Sequence, residues 1–139
     1  MTDDAVVRRV ADDLEIRTIV ARLAQYADVG DLDDYVSLFT DDAHWAMPNA
    51  PRTGRAEIRA GAEARRSTGD VGPGSNSRHM ITTVAVAADG SDTAFADSYF
   101  LFFVDTAEAP TLKLCGAYHD TFRRTTEGWK LERREITFG

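Results

Sequence analysis

Three histidines, His44, His79 and His119, are the side chains whose ordinary titration range lies nearest neutrality, and proton transfer at neutral pH calls for such a group. His79 stands out among them. It opens a β-like run directly behind a Gly- and Ser-rich stretch, residues 69–77, which places it at the mouth of whatever the chain encloses. Tyr26 lies on the margin of a helical apolar stripe, where its phenol can reach into the space the helix covers. Asp31 follows Gly30 at a position suited to an N-cap. Capping alone would account for it, although the second carboxylate oxygen of a cap is free to face a histidine. Asp97 stands mid-strand between Ala96 and Ser98, where a carboxylate is costly unless paired or solvated. It shares a face with Phe95, Tyr99, Leu101 and Phe103, so it either lines a pocket or sits on an exposed sheet face. No pair of histidines has metal-ligand spacing, so no metal site is expected. Neither a GxGxxG pattern nor a P-loop occurs, and Gly72-Pro-Gly74 reads as a plain loop, so a nucleotide cradle is not expected either.

The elements that must position these residues follow from periodicity. Residues 1–11 carry a weak pattern and are expected to fray. Asp12 and Glu15 have the spacing of a capping box, and Ile16, Ile19, Val20, Leu23, Ala24 and Ala27 trace one face of a helix that Gly30 ends. A short second helix is expected over 32–39, with Tyr35, Val36, Leu38 and Phe39 inward. A short strand follows over 43–48, and a third helix runs from 53 to about 67. The segment 69–77 is the one long loop and is placed to serve as a lid. Beyond it come four β-like runs, 79–88, 93–105, 112–126 and 129–138. Their short Gly- or Asp-containing connections indicate an antiparallel meander. Helices first and a meander second is an α+β pattern. Strands this long must coil or bulge, and a coiled sheet under helices encloses volume. On the third run the set Leu112, Leu114, Gly116, Tyr118, Asp120 and Phe122 is the more apolar and is assigned to the interior, which leaves His119 outside. His44 is read as a surface residue.

Composition narrows the class. The 139 residues suit one domain, 1–139, and 16 basic against 23 acidic residues give a net charge of −7. Such a surface repels nucleic acid. The pairs Arg65-Arg66, Arg123-Arg124 and Arg133-Arg134 read as solvated faces and not as a binding stripe. No apolar run is long enough for a membrane span, and the acidic N-terminus lacks a secretory pattern. The single cysteine, Cys115, fits a reducing compartment and reads as a small strand residue packed in the core. A cytoplasmic location is the expectation.

The order of these elements, with several local motifs, resembles the SnoaL-like branch of the NTF2-like superfamily. The matching segments are Tyr26-Ala-Asp-Val-Gly-Asp31, Leu38-Phe-Thr-Asp-Asp-Ala-His-Trp45, Gly54-Arg-Ala-Glu-Ile58, Ser77-Arg-His79, Gly116-Ala-Tyr-His-Asp120 and Gly128-Trp-Lys-Leu131. The resemblance implies a cone of three helices on a strongly curved, mostly antiparallel sheet, assembled as a homodimer or homotrimer. Scytalone dehydratase, bile-acid dehydratase, polyketide cyclases and ketosteroid isomerase belong to this branch. They do cofactor-free acid–base chemistry on carbonyl-bearing small molecules.

Carried onto this chain, the dehydratase-like set falls on Tyr26, Asp31 and His79. His79 would be base and then acid, Asp31 would fix its tautomer, and Tyr26 would donate to the oxygen where charge develops. Phe39, Trp45, Met47, Asp97, Phe102 and Tyr118 would line the pocket. The reading is thus a dehydratase or isomerase, without cofactor, for a hydrophobic oxygenated molecule such as a polyketide, steroid or aromatic catabolite. The rival is a non-catalytic domain of the same fold that binds a small ligand or a partner subunit. The sequence names no substrate.

Overall fold

In the computed structural model, which describes residues 2–139, helix α1 runs Asp3–Val29, and α2 follows over Leu32–Ser37. Strands β1 (Phe39–Ala46) and β2 (Arg52–Thr53) lead into α3 (Gly54–Ser67). Four long strands complete the chain: β3 (Arg78–Ala88), β4 (Thr93–Val104), β5 (Thr111–Thr125) and β6 (Gly128–Phe138). The expected α+β arrangement holds, with three helices and a six-stranded sheet in the order β2-β1-β6-β5-β4-β3. Only β1 against β6 is parallel; the other pairs are antiparallel. No helix is long and apolar enough to cross a membrane.

Helix α1 begins well before the expected start. Thr2 caps it, its hydroxyl accepting from the Ala5 N–H at 3.1 Å, and Asp3 and Asp4 complement the positive end of the helix dipole. Residues 3–11 therefore extend the helix and do not fray. Asp12 and Glu15 consequently lie inside the helix and cap nothing. Asp12 accepts from both terminal nitrogens of Arg124 at 2.9 and 2.8 Å and from Trp129 Nε1 at 3.0 Å. Glu15 accepts from the Trp129 backbone N–H at 2.7 Å. Two acids that look like a start signal instead bolt the helix to the β5–β6 hairpin.

Gly30 ends α1 with an ordinary φ of −89°. Its glycine character answers a close approach, not a left-handed turn, because a Cβ there would meet Tyr26 Cα at 2.6 Å. Arg66 seals the same helix end, one guanidinium nitrogen donating to the carbonyls of Tyr26, Ala27 and Gly30.

The sheet curls because its register breaks. Shifts fall between Thr82 and Ala85 in β3, between Phe102 and Phe103 in β4, between Thr121 and Phe122 in β5, and between Phe39 and His44 in β1. Each inserts extra twist. Thr83 takes a φ of 45°, an uncommon conformation for a β-branched residue that this break imposes. On β4 and β5 the even-numbered residues point inward, among them Ala94, Ala96, Phe100, Tyr118 and Phe122, all buried. That parity bears out Gly116, Tyr118, Asp120 and Phe122 of the interior set chosen on β5; Leu114 is partly open to solvent, and Leu112, beyond the register shift, is exposed. It also overturns the reading of Cys115, an odd-numbered position whose thiol is exposed on the outer face.

Candidate active site

Between the helices and the concave face of the sheet lies a cavity of about 210 Å³. Every secondary element except the two-residue β2 either walls it or packs directly behind that wall. The room exceeds the about 150 Å³ that holds a benzene ring, so it suits a compound of one or two rings. Leu23, Ala24 and Ala27 of α1 form one side, and Phe100, Phe102 and Ile136 form the sheet side. The loop behind α3 reaches over it through Val71.

His79 lies on the cavity wall, and its imidazole is held by Asp28. The Nδ1–H donates to Asp28 Oδ1 at 2.7 Å, and the His79 backbone N–H donates to Oδ2 at 2.9 Å. The Asp28 side chain is only 3% exposed and that of His79 20%. With Nδ1 engaged, Nε2 is the nitrogen left for an occupant of the cavity. The pair is positioned by two stable parts: the last turn of α1, sealed by Arg66, and the first residues of β3, paired to β4 through His79 and Phe102.

Asp31 does not take this place. Its exposed carboxylate accepts from the Asp33 N–H at 2.7 Å and caps α2, as the helix-cap reading had it. The correction is a shift of three residues within one motif, and its reason is helical geometry. Asp28 continues the buried face one turn after Ala24, whereas Asp31 lies past the end of the helix. The available signal was a carboxylate sitting on an apolar stripe, which needs a partner to be tolerated there.

Tyr26 is likewise not a cavity residue. Its ring packs beside Gly30, and the Arg22 guanidinium lies 5.9 Å from its centroid. Two other phenols take part in the cavity wall, Tyr35 of α2 and Tyr118 of β5. Burial pushes the Tyr118 hydroxyl up to about 12 and raises that of Tyr35, so both stay protonated donors.

Of the expected lining residues, Trp45, Met47, Phe102 and Tyr118 do wall the cavity. Phe39 lies behind the wall, its ring 5.2 Å from Tyr35 and 6.3 Å from Trp45. Asp97 faces outward and pairs with the exposed His119 across the strands, because odd positions of β4 point away from the core. His44 is half-buried and bonded to Thr53 Oγ1 at 3.1 Å.

Arg134 is a wall residue that strand periodicity conceals. It is buried in the cavity wall and makes a bidentate pair with Asp120 at 2.8 and 2.9 Å. Its guanidinium stacks 3.7 Å from the Tyr118 ring centroid, and Tyr118 in turn stacks on Phe100 at 4.5 Å. Burial opposes the charge, but the Asp120 carboxylate outweighs it and holds Arg134 above its ordinary range. Strict alternation from Trp129 and Leu131 would send Arg133 inward; the bulge opposite Thr121 and Phe122 reverses the parity and turns Arg134 in. Among the described residues, no group of three His, Cys, Asp or Glu side chains gathers to hold a metal ion.

Comparison with known proteins agrees with the fold. Residues 8–135 match the SnoaL-like domain family. An NTF2-like protein with a cystatin-like fold from Novosphingobium aromaticivorans is 30% identical, with a TM-score of 0.84 over 97% of this chain and 86% of that one. A protein from the same organism, provisionally assigned as a scytalone dehydratase, is 18% identical, with a TM-score of 0.80 over 96% of this chain and 88% of that one. A protein from Catenulispora acidiphila, solved in complex with S-DNPA, is 22% identical, with a TM-score of 0.78 over 93% and 94% of the two chains. A search of curated proteins finds no match.

Proposed function

This chain belongs to the SnoaL-like domain family, and from that premise we propose that it is a cofactor-independent lyase or isomerase for a small, mainly apolar carbonyl compound. The observation that carries the reading is the double hold of Asp28 on His79, which leaves Nε2 directed to an apolar cavity. In this mechanism Nε2 removes a proton from the carbon next to the carbonyl. The electron pair moves onto the carbonyl oxygen, where the protonated Tyr118 or Tyr35 hydroxyl donates. Asp28 stabilises the imidazolium and keeps the ring in place. The same nitrogen then returns its proton. Delivered to a β-hydroxyl, it releases water and leaves a conjugated double bond; delivered to a more distant carbon, it shifts a double bond.

Asp28 and Tyr118 thus take the positioning and donor roles that the sequence resemblance assigned to Asp31 and Tyr26. A homodimer or homotrimer in the cytoplasm completes the reading. Apolar side chains exposed on the outer sheet face, such as Phe95 and Tyr99, supply a surface for pairing.

The test is deuterium exchange next to the carbonyl of tetralone, followed by NMR. Wild type is expected to accelerate it, and His79→Gln to lose about 10²–10⁴-fold of that acceleration. A wild type that binds tetralone without accelerating exchange would make the domain a ligand-binding one.

A further inference from the structure

We propose that the cavity is built for an anionic ring compound, and that Arg65 is the residue that holds the anion, a carboxylate being the fitting group. The proposal rests on the same cavity being the working site, but not on His79 acting as a base.

Arg65 stands in the last turn of α3 and reaches the cavity wall half-buried. Its guanidinium lies over the Trp45 ring, 5.3 Å from the centroid. Except for Arg52, which packs with Arg65 against Gly61, the neighbouring arginines are engaged. Arg55 donates to the Phe39 carbonyl and pairs with Asp41. Arg59 pairs with Asp33 and Glu63, Arg66 seals α1, and Arg134 pairs with Asp120. Of the two arginines in the cavity wall, Arg134 is paired with Asp120, whereas the Arg65 guanidinium has neither a hydrogen bond nor an ion pair among the described residues. A planar guanidinium held over an indole, its edge unused, presents the fork that carboxylates fit.

The other polar groups of the wall agree. Tyr35 and Tyr118 bring two phenols to the wall, and burial keeps both hydroxyls protonated. Both carboxylates nearest the cavity are already bound, Asp28 by His79 and Asp120 by Arg134. The cavity therefore offers unused donors in excess of unused acceptors. An occupant satisfies them only if it brings acceptor oxygens. In a chain of net charge −7, an anion gains by meeting an unpaired cation inside.

Isothermal titration with naphthoate and its neutral counterpart naphthamide tests this. Wild type is expected to bind naphthoate about tenfold or more tightly than the amide. Arg65→Met should abolish that preference while leaving the amide's affinity unchanged, and Arg65→Lys should keep part of it. His79→Gln should retain the preference in full, which separates anion recognition from proton transfer. The proposal falls if wild type does not discriminate, if the preference survives Arg65→Met, or if neither compound binds at millimolar concentration. It falls equally if Arg65→Met weakens both compounds alike, since Arg65 would then only support the wall.

Discussion

A carboxylate that accepts two hydrogen bonds from one residue fixes that residue more tightly than a single contact does, because ring and backbone must move together to break it. Asp28 does this for His79, through the imidazole Nδ1 and the peptide N–H. Asp31, three residues on, holds only the N–H of Asp33 at the start of α2. The two acids therefore predict opposite phenotypes. Asp28→Asn should lower the rate of proton exchange by about 10²-fold or more, since the wrong tautomer or orientation of His79 would follow. Asp31→Ala should leave that rate unchanged and cost about 1 kcal/mol of stability, the ordinary loss of a cap. Exchange rates and urea melts of the two variants, measured side by side, check both halves.

At the scale of elements, the long helix is tied to the sheet by the contacts of Asp12 with Arg124 and Trp129. The hydrogen bond from Arg124 holds the Asp12 carboxyl below its ordinary value of 3.8, against the opposing effect of burial. A carboxyl whose folded pKa is depressed adds stability above its unfolded pKa, and that stability disappears as pH falls through the folded value. Asp12→Asn should therefore be less stable than wild type at neutral pH, and the gap should close as the pH drops below 3.8. Urea midpoints across an acid pH series measure it; a gap independent of pH would mean that Asp12 acts by shape alone.

For the whole molecule, inward and outward faces of one sheet have separate tasks. The concave face carries the cavity and the buried Arg134–Asp120 pair, while the outer face exposes Tyr99 at 62% and Phe95 at 53% beside the Asp97–His119 pair. Sedimentation equilibrium is expected to give two or three times the 15.3 kDa of one chain, and Tyr99→Glu to shift it toward the monomer. A monomeric wild type would remove the oligomer from the proposed function without touching the cavity.

Local patterning was enough to place α3, the four long strands and the start of α2, because helical and strand periods are set by nearest neighbours along the chain; the expected helix end at 39 gives way to β1, which Phe39 opens. It was enough, too, to put His79 at the head of β3 and to send His119 outward. Motif resemblance carried the family, and of two acids within one motif it pointed to Asp31, whereas the structure pairs Asp28 with His79. The partner of His79 lies 51 residues away in sequence and is selected by where the last turn of α1 meets β3. The inward turn of Arg134 depends on a bulge, and a bulge is a mismatch between two strands that neither strand shows alone. Cys115 and Asp97 lie outside for the same reason: the face a residue joins is decided by pairing register, and register is a property of the folded sheet.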